Sequence, residues 1–183
     1  MGSAIESAMA RDGQSGHIFR LLEEHEWYRL EALYCALDAP GRRQRFCAAV
    51  SDASIRGHCE SLARKGAVII GAFQSGRMDA AVEIVPVSEV WDEAEIAVTS
   101  FRRDAGPLVS RLLELAAREG RRRGCDRLMT MLEGADAGLL PALAGLGDVE
   151  LDSEIARIDI SELGSVPFQP SRKPRSLVAA ISA

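Results

Sequence analysis

Two adjacent arginines, Arg102 and Arg103, occupy a short loop between an apolar segment and an amphipathic one. The apolar segment, Glu93–Ser100, is predicted to be a strand, and the amphipathic segment, with Pro107 in its first turn, a helix. The N-terminus of a helix carries unpaired N–H groups and a partial positive charge, and both favour an anion. Arginine adds strong hydrogen bonds to phosphate oxygens. This order therefore predicts a site for a phosphate-rich molecule.

The segments around this loop alternate between predicted strands and helices. Apolar runs and turn residues predict strands at His17–Leu22, Ala67–Phe73, Met78–Val87, Asp126–Leu132 and Glu154–Ile160, with a hairpin turn at Gln74–Arg77. Helical spacing and capping residues predict helices over Glu26–Leu37, from Ser51 or Asp52 to about Gly66, from Pro107 to Gly120, and from about Leu140. Residues 38–41, Asp-Ala-Pro-Gly, are predicted to stop the first helix.

The composition bounds the kind of protein. The chain has 183 residues, is 47% hydrophobic and carries a formal net charge of -5, which suits one globular domain and gives no general case for nucleic-acid binding. We expect that domain at 17–162, between a flexible Gly/Ser-rich arm at 1–16 and an extended or disordered tail at 163–183. No apolar run reaches the length of a membrane span, and the first residues lack the pattern of a signal peptide. A cytoplasmic location is the expectation.

The cysteines give no sign of a metal centre. Cys35, Cys47, Cys59 and Cys125 form no C-x-x-C pair. His58 lies next to Cys59, but adjacent residues on a helix point in different directions and chelate poorly. We therefore expect free thiols in a reducing compartment, and no metal.

The order and spacing of these segments resemble the GNAT superfamily, the acetyl-CoA-dependent N-acetyltransferases. The opening strand and paired helices of many bacterial members resemble RLLEEHEWYRLEALYCAL, RRQRF and SDASIRGHCESL. Their central hairpin resembles VIIGAFQSGRMDAAVEIV, their cofactor-binding strand EAEIAVT, and the following helix and strand LLELAAREGRRRGCDRLMTMLE. The resemblance covers roughly residues 18–160. It implies an α/β fold of the α+β type, in which a mixed, mainly antiparallel sheet carries helices on both faces.

The resemblance also implies acetyl-CoA, or another acyl-CoA, as the cosubstrate. Its binding residues would be Val98, Arg102, Arg103, Ala105 and Gly106. Family members usually have an arginine or glutamine, two residues, a glycine, one residue, and a glycine or alanine in this loop. Here the two small-residue positions fall on Ala105 and Pro107, on Gly106 and Leu108, or on Arg103 and Ala105, depending on the register. Pro107 has no N–H to donate and Asp104 adds a negative charge, so the loop is degenerate.

The general base implied by the resemblance is Glu95, because family members often place a glutamate on this strand. A carboxylate can take the proton that the attacking amine loses. Glu83 on the neighbouring strand and Glu133 at a strand end are the alternatives, while His25 and His58 fit surface or packing roles. The tyrosine that many members use as general acid is missing, since Tyr28 and Tyr34 both lie in the first helix.

The resulting prediction is direct acyl transfer to an unknown small-molecule or peptide amine in a ternary complex, without an acyl-enzyme. One alternative is a non-catalytic GNAT-fold domain that has lost or weakened CoA binding and serves a regulatory or interaction role. Another is a transferase that holds CoA in an altered way and uses the substrate or water for proton transfer. The final strand and the apolar end of the tail offer surfaces for pairing with a second copy, so a homodimer stays open.

Overall fold

The structure, a computed structural model, describes residues 16–101, 106–132 and 139–164, and the backbone of residues 9–11. The strands are β1 Met9–Arg11, β2 Ile18–Leu21, β3 Val68–Gln74, β4 Arg77–Pro86, β5 Glu93–Ser100, β6 Arg127–Met131, β7 Val149–Asp152 and β8 Ile155–Asp159. The helices are α1 Tyr28–Cys35, α2 Ala39–Phe46, α3 Asp52–Arg64, α4 Gly106–Arg123 and α5 Leu139–Ala144, with a 3₁₀ turn at Glu24–Glu26. None of the helices described is long and apolar enough to cross a membrane.

The strands form one sheet in the order β1-β2-β3-β4-β5-β6-β8-β7. Every neighbouring pair is antiparallel except β5 and β6, which are parallel and are connected through α4. A parallel pair requires such a crossover because the chain must return to the same end of the sheet. The predicted mixed, mainly antiparallel sheet with helices on both faces is confirmed.

The sheet separates two apolar cores. On one face, α4 and α5 pack against strands from both halves of the sheet, with Leu112, Leu113, Leu143, Val82, Ile96, Leu128 and Ile158 among the buried side chains. On the other face, α1 and α3 bury Leu30, Leu33, Ile55 and Leu62 against Ile69, Phe73, Met78 and Ala81. The strand residues of this second core come from β3 and β4. The α1/α3 layer thus covers one half of its face, and α4 spans the middle of the other.

The region after the first helix differs from the prediction. The helix α1 already ends at Cys35, before residues 38–41, and those residues begin α2, whose N-cap is Asp38. The Asp38 carboxylate accepts a hydrogen bond from the Gly41 N–H at 2.8 Å, and Pro40 fits the first turn, where its missing N–H leaves no hydrogen bond unmade. The predicted stop signal of one helix is therefore the start signal of the next.

The end of α4 is also different. Gly120 was expected to terminate it, yet the helix continues to Arg123. Gly120 is buried, with Cys125, Leu128 and Ile160 as the neighbours of its missing side chain, so it serves close packing inside the helix. Gly124 ends the helix instead, with a φ of +97° that glycine adopts without strain.

The two ends of the chain are described only in part. Residues 9–11, which fall within the arm predicted to be flexible, form β1 and pair with β2. The rest of that arm up to residue 15, and residues 165–183 of the predicted tail, lie outside the described residues. The strand β7, which pairs with β8, has no counterpart among the predicted elements.

Candidate functional site

A gap opens in the sheet where β5 and β6 diverge. Their parallel pairing covers Glu93–Glu95 and Arg127–Met129, whereas β5 runs on to Ser100 and β6 to Met131. Along the same stretch β5 remains paired with β4 up to Ser100. The backbone groups of β5 that point away from β4 beyond Glu95 therefore face a gap. Between Ile96 and Thr99, the described part of β6 offers these groups no strand partner, so N–H groups there are available to a ligand.

The N-terminus of α4 lies at the end of the sheet towards which this gap opens. The helix follows β5 and begins at Gly106, and Leu108 and Leu112 anchor its first turns in the core. A Cβ built on Gly106 meets no described atom within 4 Å, so the described residues leave the space beside Gly106 open. The helix start favours an anion, although Pro107, its second residue, contributes no N–H.

The structure describes two of the five residues predicted to bind the cosubstrate. Val98 and Gly106 are described, and Val98 is half-buried on β5 against the core that contains α4. Arg102, Arg103 and Ala105 lie outside the described residues, as does Asp104. The phosphate contacts of the two arginines therefore stay predictions.

The predicted base, Glu95, is exposed on β5 in the last residue pair before the gap. It pairs with Val85 across β4, and Glu83 pairs with Ala97. Opposed residues in an antiparallel pair share a face, and so do residues two apart on a strand. Glu83 and Glu95 therefore lie on the same face, and this is the face that carries α1 and α3.

A cross-strand row continues from Glu95 over the rest of this face. It runs through Met129 on β6 and Arg157 on β8 to Glu150 on β7. The α1/α3 core takes no residue from β6, β7 or β8, so within the described residues no helix of that layer packs on this stretch. Arg157 pairs with Asp152 at 3.3 Å. The sheet surface next to Glu95 on this side therefore carries both charged side chains, Arg157 and Glu150, and the apolar side chain of Met129.

A buried polar cluster lies beside Glu95 and is centred on Glu83, whose side chain is 2% exposed. The Tyr34 hydroxyl donates to Glu83 Oε1, and the Arg45 guanidinium forms an ion pair with Oε2. The His58 Nε2 atom lies 3.0 Å from Oε1 and 3.3 Å from Oε2. Phe46 packs edge-on against the rings of Tyr34 and His58. Side chains from α1, α2 and α3 therefore meet on one carboxylate of β4.

The electrostatics of this cluster keep Glu83 ionised. Burial alone raises the pKa of Glu83, but the charge of Arg45 and the contacts of His58 and Tyr34 outweigh it and hold the pKa below its ordinary value. Burial raises the pKa of Tyr34 well above its ordinary value. A carboxylate with three partners and no access to solvent is a poor general base, so we assign Glu83 a structural role. Tyr34 is fully buried and is not available as a general acid.

The sequence indicates Glu83 and His58 only as separate candidates, and it does not predict that they form a cluster with Tyr34 and Arg45. One signal was present: Glu83 interrupts the apolar run Ala80–Val85, and a charge inside such a strand needs a buried partner. The partners come from three separate helices, so no spacing in the sequence identifies them.

The remaining candidates show no comparable arrangement. Glu133 lies outside the described residues. His25 is 75% exposed, 3.3 Å from Glu23. Among the described residues, no group of three or more histidine, cysteine, aspartate or glutamate side chains is placed to hold a metal ion.

Comparison with known proteins gives a likeness of fold. No protein-family profile matches the sequence, and no curated protein does. Among solved structures, the GNAT domain of S. lividans PAT aligns with a TM-score of 0.65 at 20% identity, covering 86% of this chain and 98% of that one. A Salmonella typhimurium protein assigned as an acetyltransferase and solved with its cofactor acetyl-CoA aligns at 0.60 and 13% identity, over 80% and 95% of the two chains.

A third structure, the ribosomal-protein-alanine N-acetyltransferase from Brucella melitensis, aligns with a TM-score of 0.59 at 16% identity. The alignment covers 77% of this chain and 98% of that one. Identities this low carry the fold and leave the substrate open.

Proposed function

Because the chain has the GNAT fold, we propose that it is an acyl-CoA-dependent N-acyltransferase, with acetyl-CoA as the first candidate donor. The acceptor is a small-molecule or peptide amine, and transfer is direct, without an acyl-enzyme. The observation that carries the proposal is the divergence of β5 and β6 beside the start of α4. This gap is bordered by backbone N–H groups of β5, by the N-terminus of α4 at its open end and by the exposed Glu95 at its closed end.

The donor's diphosphate belongs at the start of α4, near Gly106, with Arg102 and Arg103 as the charged partners. The open space at Gly106 supports this placement, as does the partial positive charge of the helix start. The thioester arm belongs in the gap beside Val98. Backbone N–H groups of β5 that face the gap are suited to polarising the thioester carbonyl as negative charge develops on its oxygen.

Glu95 is the proposed general base. It accepts the proton of the amine, directly or through a water molecule, while the nitrogen forms a bond to the carbonyl carbon and the thiolate of CoA leaves. Holding amine and thioester together supplies much of the rate. Exposure of Glu95 on the face that carries the cross-strand row supports an amine that approaches from there.

The donor part of the proposal is tested by binding. We expect acetyl-CoA at millimolar concentration to raise the melting temperature of the purified protein and to give heat in titration calorimetry. A paired change, Asp104→Gly with Pro107→Gly, should tighten acetyl-CoA binding about tenfold, because it adds an N–H donor and removes a negative charge. Absence of any heat or thermal shift with either protein would contradict the proposal.

The base is tested by Glu95→Gln, with Glu93→Gln as the matched control on the same face of the same strand. CoA thiol release from acetyl-CoA would be followed with spermidine and with a lysine-containing peptide as probe amines. We expect Glu95→Gln to lower turnover about a hundredfold near neutral pH, and acetyl-CoA affinity to change little. Glu93→Gln should turn over like the parent. Equal turnover of the parent and Glu95→Gln would remove Glu95 from the mechanism.

One observation favours the non-catalytic alternative. Pro107 takes the second position of α4, where the family pattern calls for a residue that donates its N–H to phosphate. In that case the fold serves as a regulatory or interaction module. Neither probe amine would then stimulate thiol release, and the repaired loop would bind acetyl-CoA no better than the parent.

A further inference from the structure

The helix α2 is attached to the sheet in an unusual way. Its sequence, APGRRQRF, places no fully buried side chain between the helix and the rest of the protein. A surface helix is ordinarily held by an apolar stripe, and an isolated helix of this length is unstable in water. Apolar burial is limited to Phe46, which packs half-buried against the α1/α3 core, so other contacts must help to fix α2 in place.

Two residues, Asp38 and Arg42, tie α2 to the segments that precede and follow it. Asp38 caps its start. The Arg42 guanidinium donates to the carbonyl oxygens of Cys35, Leu37 and Val50 at 2.7, 3.2 and 3.2 Å, and it pairs with Asp52 at 2.7 Å. These bonds close the turns on either side of the helix, and neither residue contacts the sheet through them.

The attachment to the sheet is made by the last turn. Arg45 is 12% exposed at its side chain and reaches the carboxylate of Glu83 on β4. Its guanidinium also lies 3.3 Å from His58 Nε2 and 3.4 Å from the Tyr34 hydroxyl. Phe46, the next residue, stacks edge-on against Tyr34 with ring centroids 5.3 Å apart. Arginine suits this role because its planar guanidinium satisfies several partners at once.

The position that Arg45 fixes is next to the proposed base. The helix α2 contacts β5, the strand that carries Glu95, and Glu95 lies on the same sheet face as Glu83, the ion-pair partner of Arg45. Arg45 thus binds the buried carboxylate, Glu83, of a face that also presents the exposed carboxylate of Glu95. The Arg45 contact therefore helps to hold α2 against the part of the sheet that carries Glu95.

We propose that Arg45 is a positioning residue that pins α2 to Glu83 and so sets the acceptor side of the site around Glu95. This rests on the proposed acyltransfer for its catalytic consequence, while the attachment itself rests only on the contacts above. A shift of about 1 Å in a positioning element can cost about a hundredfold in rate. The donor gap lies on the far side of β5 from β4, so donor affinity should be spared.

The attachment can be measured without any substrate. Cys47, exposed at the C-cap of α2, directly follows Phe46 and accepts a nitroxide spin label. Cys35→Ser removes the half-buried thiol, and Cys59 and Cys125 are buried. We expect Arg45→Met to make the label at Cys47 more mobile, Arg45→Lys to have an intermediate effect, and Arg43→Met, an exposed arginine of the same helix, to match the parent.

A folding defect is separated from a positioning defect by the double change Arg45→Met with Glu83→Met. It leaves no unpaired buried charge and should fold, yet the label should stay more mobile than in the parent. If the label at Cys47 is as immobile in this double variant and in Arg45→Met as it is in the parent, the proposal is overturned.

The catalytic consequence is tested on the same proteins with acetyl-CoA and the probe amine that the parent acetylates. In Arg45→Met we expect the KM for the amine to rise about tenfold or more, with Arg45→Lys partly rescued. The dissociation constant of acetyl-CoA should stay within about twofold of the parent value. A loss confined to acetyl-CoA affinity would contradict the assignment. A parent without turnover would sink the proposed function, and the label measurement would still decide whether Arg45 holds α2.

Discussion

Replacing Glu83 by glutamine should cost about 3 kcal/mol of the free energy of unfolding at pH 7. The Glu83 side chain is 2% exposed and that of Arg45 is 12% exposed, so both charges of this ion pair are largely removed from water. Removing one partner of a buried pair ordinarily costs about 3–5 kcal/mol, because the other charge is left uncompensated. We choose the lower end because the amide oxygen still accepts from Tyr34 and because Arg45 keeps some exposure to solvent.

The cost should depend on pH in a defined direction. The pKa of Glu83 is held below its ordinary value in the folded protein, despite burial, by Arg45, His58 and Tyr34. A carboxyl with a depressed folded pKa stabilises the protein above its unfolded pKa of about 4.3, and that contribution is lost as the pH falls through the folded value. The difference between the parent and Glu83→Gln should therefore be full at pH 7 and shrink below about pH 4.

Urea denaturation followed by circular dichroism, at several pH values between 3 and 8, measures both effects. The double variant Arg45→Met with Glu83→Met should recover part of the loss, since an apolar pair of similar volume replaces the ion pair while the buried Tyr34 hydroxyl loses its acceptor. A cost of less than about 1 kcal/mol for Glu83→Gln at pH 7, or a cost that is the same at pH 3.5, would refute the buried-charge argument.

Three further changes probe other parts of the molecule. Gly147→Ala should lower the free energy of unfolding by about 3 kcal/mol in urea denaturation, since its Cβ would lie 2.0 Å from the backbone oxygen of Asp159; a cost near zero would mean that the backbone there yields. Under native conditions at pH 8, iodoacetamide should modify exposed Cys47 and spare Cys59 in mass spectrometry, because burial raises the pKa of Cys59 to about 12; equal modification would contradict that burial. Ser51→Ala, which removes the N-cap of α3, should cost about 1 kcal/mol in thermal unfolding, and no loss would show that another group caps the helix.

Elements with a strong local pattern are well predicted from the sequence. The β3–β4 hairpin follows from two apolar runs separated by a turn, and Ser75 and Gly76 both adopt the positive φ values, 50° and 82°, that such a tight turn requires. The long apolar stripe of α4 predicts a helix because its leucines recur at helical spacing. In these segments the local preference and the tertiary packing agree.

Elements held by distant contacts are not predictable in this way. The α2 segment has proline and glycine near its start and no apolar stripe, so its sequence indicates a turn, and its helix depends on a cap and on arginine contacts. The edge strand β7 is only four residues long, so its alternation of apolar and polar residues is too short to predict a strand, and Leu151 is exposed. The partners of Glu83 lie at least 25 positions away, on three helices. Their convergence is a property of the fold and leaves no local pattern in the chain.

The short pairing between β5 and β6 has a mechanical consequence. Among the described residues, strand pairing joins the β1–β5 part of the sheet to the β6–β8 part over Glu93–Glu95 and Arg127–Met129, and the Asp92 carbonyl oxygen adds hydrogen bonds from the N–H groups of Asp126 and Arg127. The rest of the connection is the core around α4, whose buried side chains touch both parts. The two parts of the sheet are thus joined by a short stretch of strand pairing and by the core around α4, and a ligand bound between β5 and β6 would add a further connection. Amide hydrogens of β5 and β6 should therefore exchange more slowly when a ligand occupies the gap between these two strands.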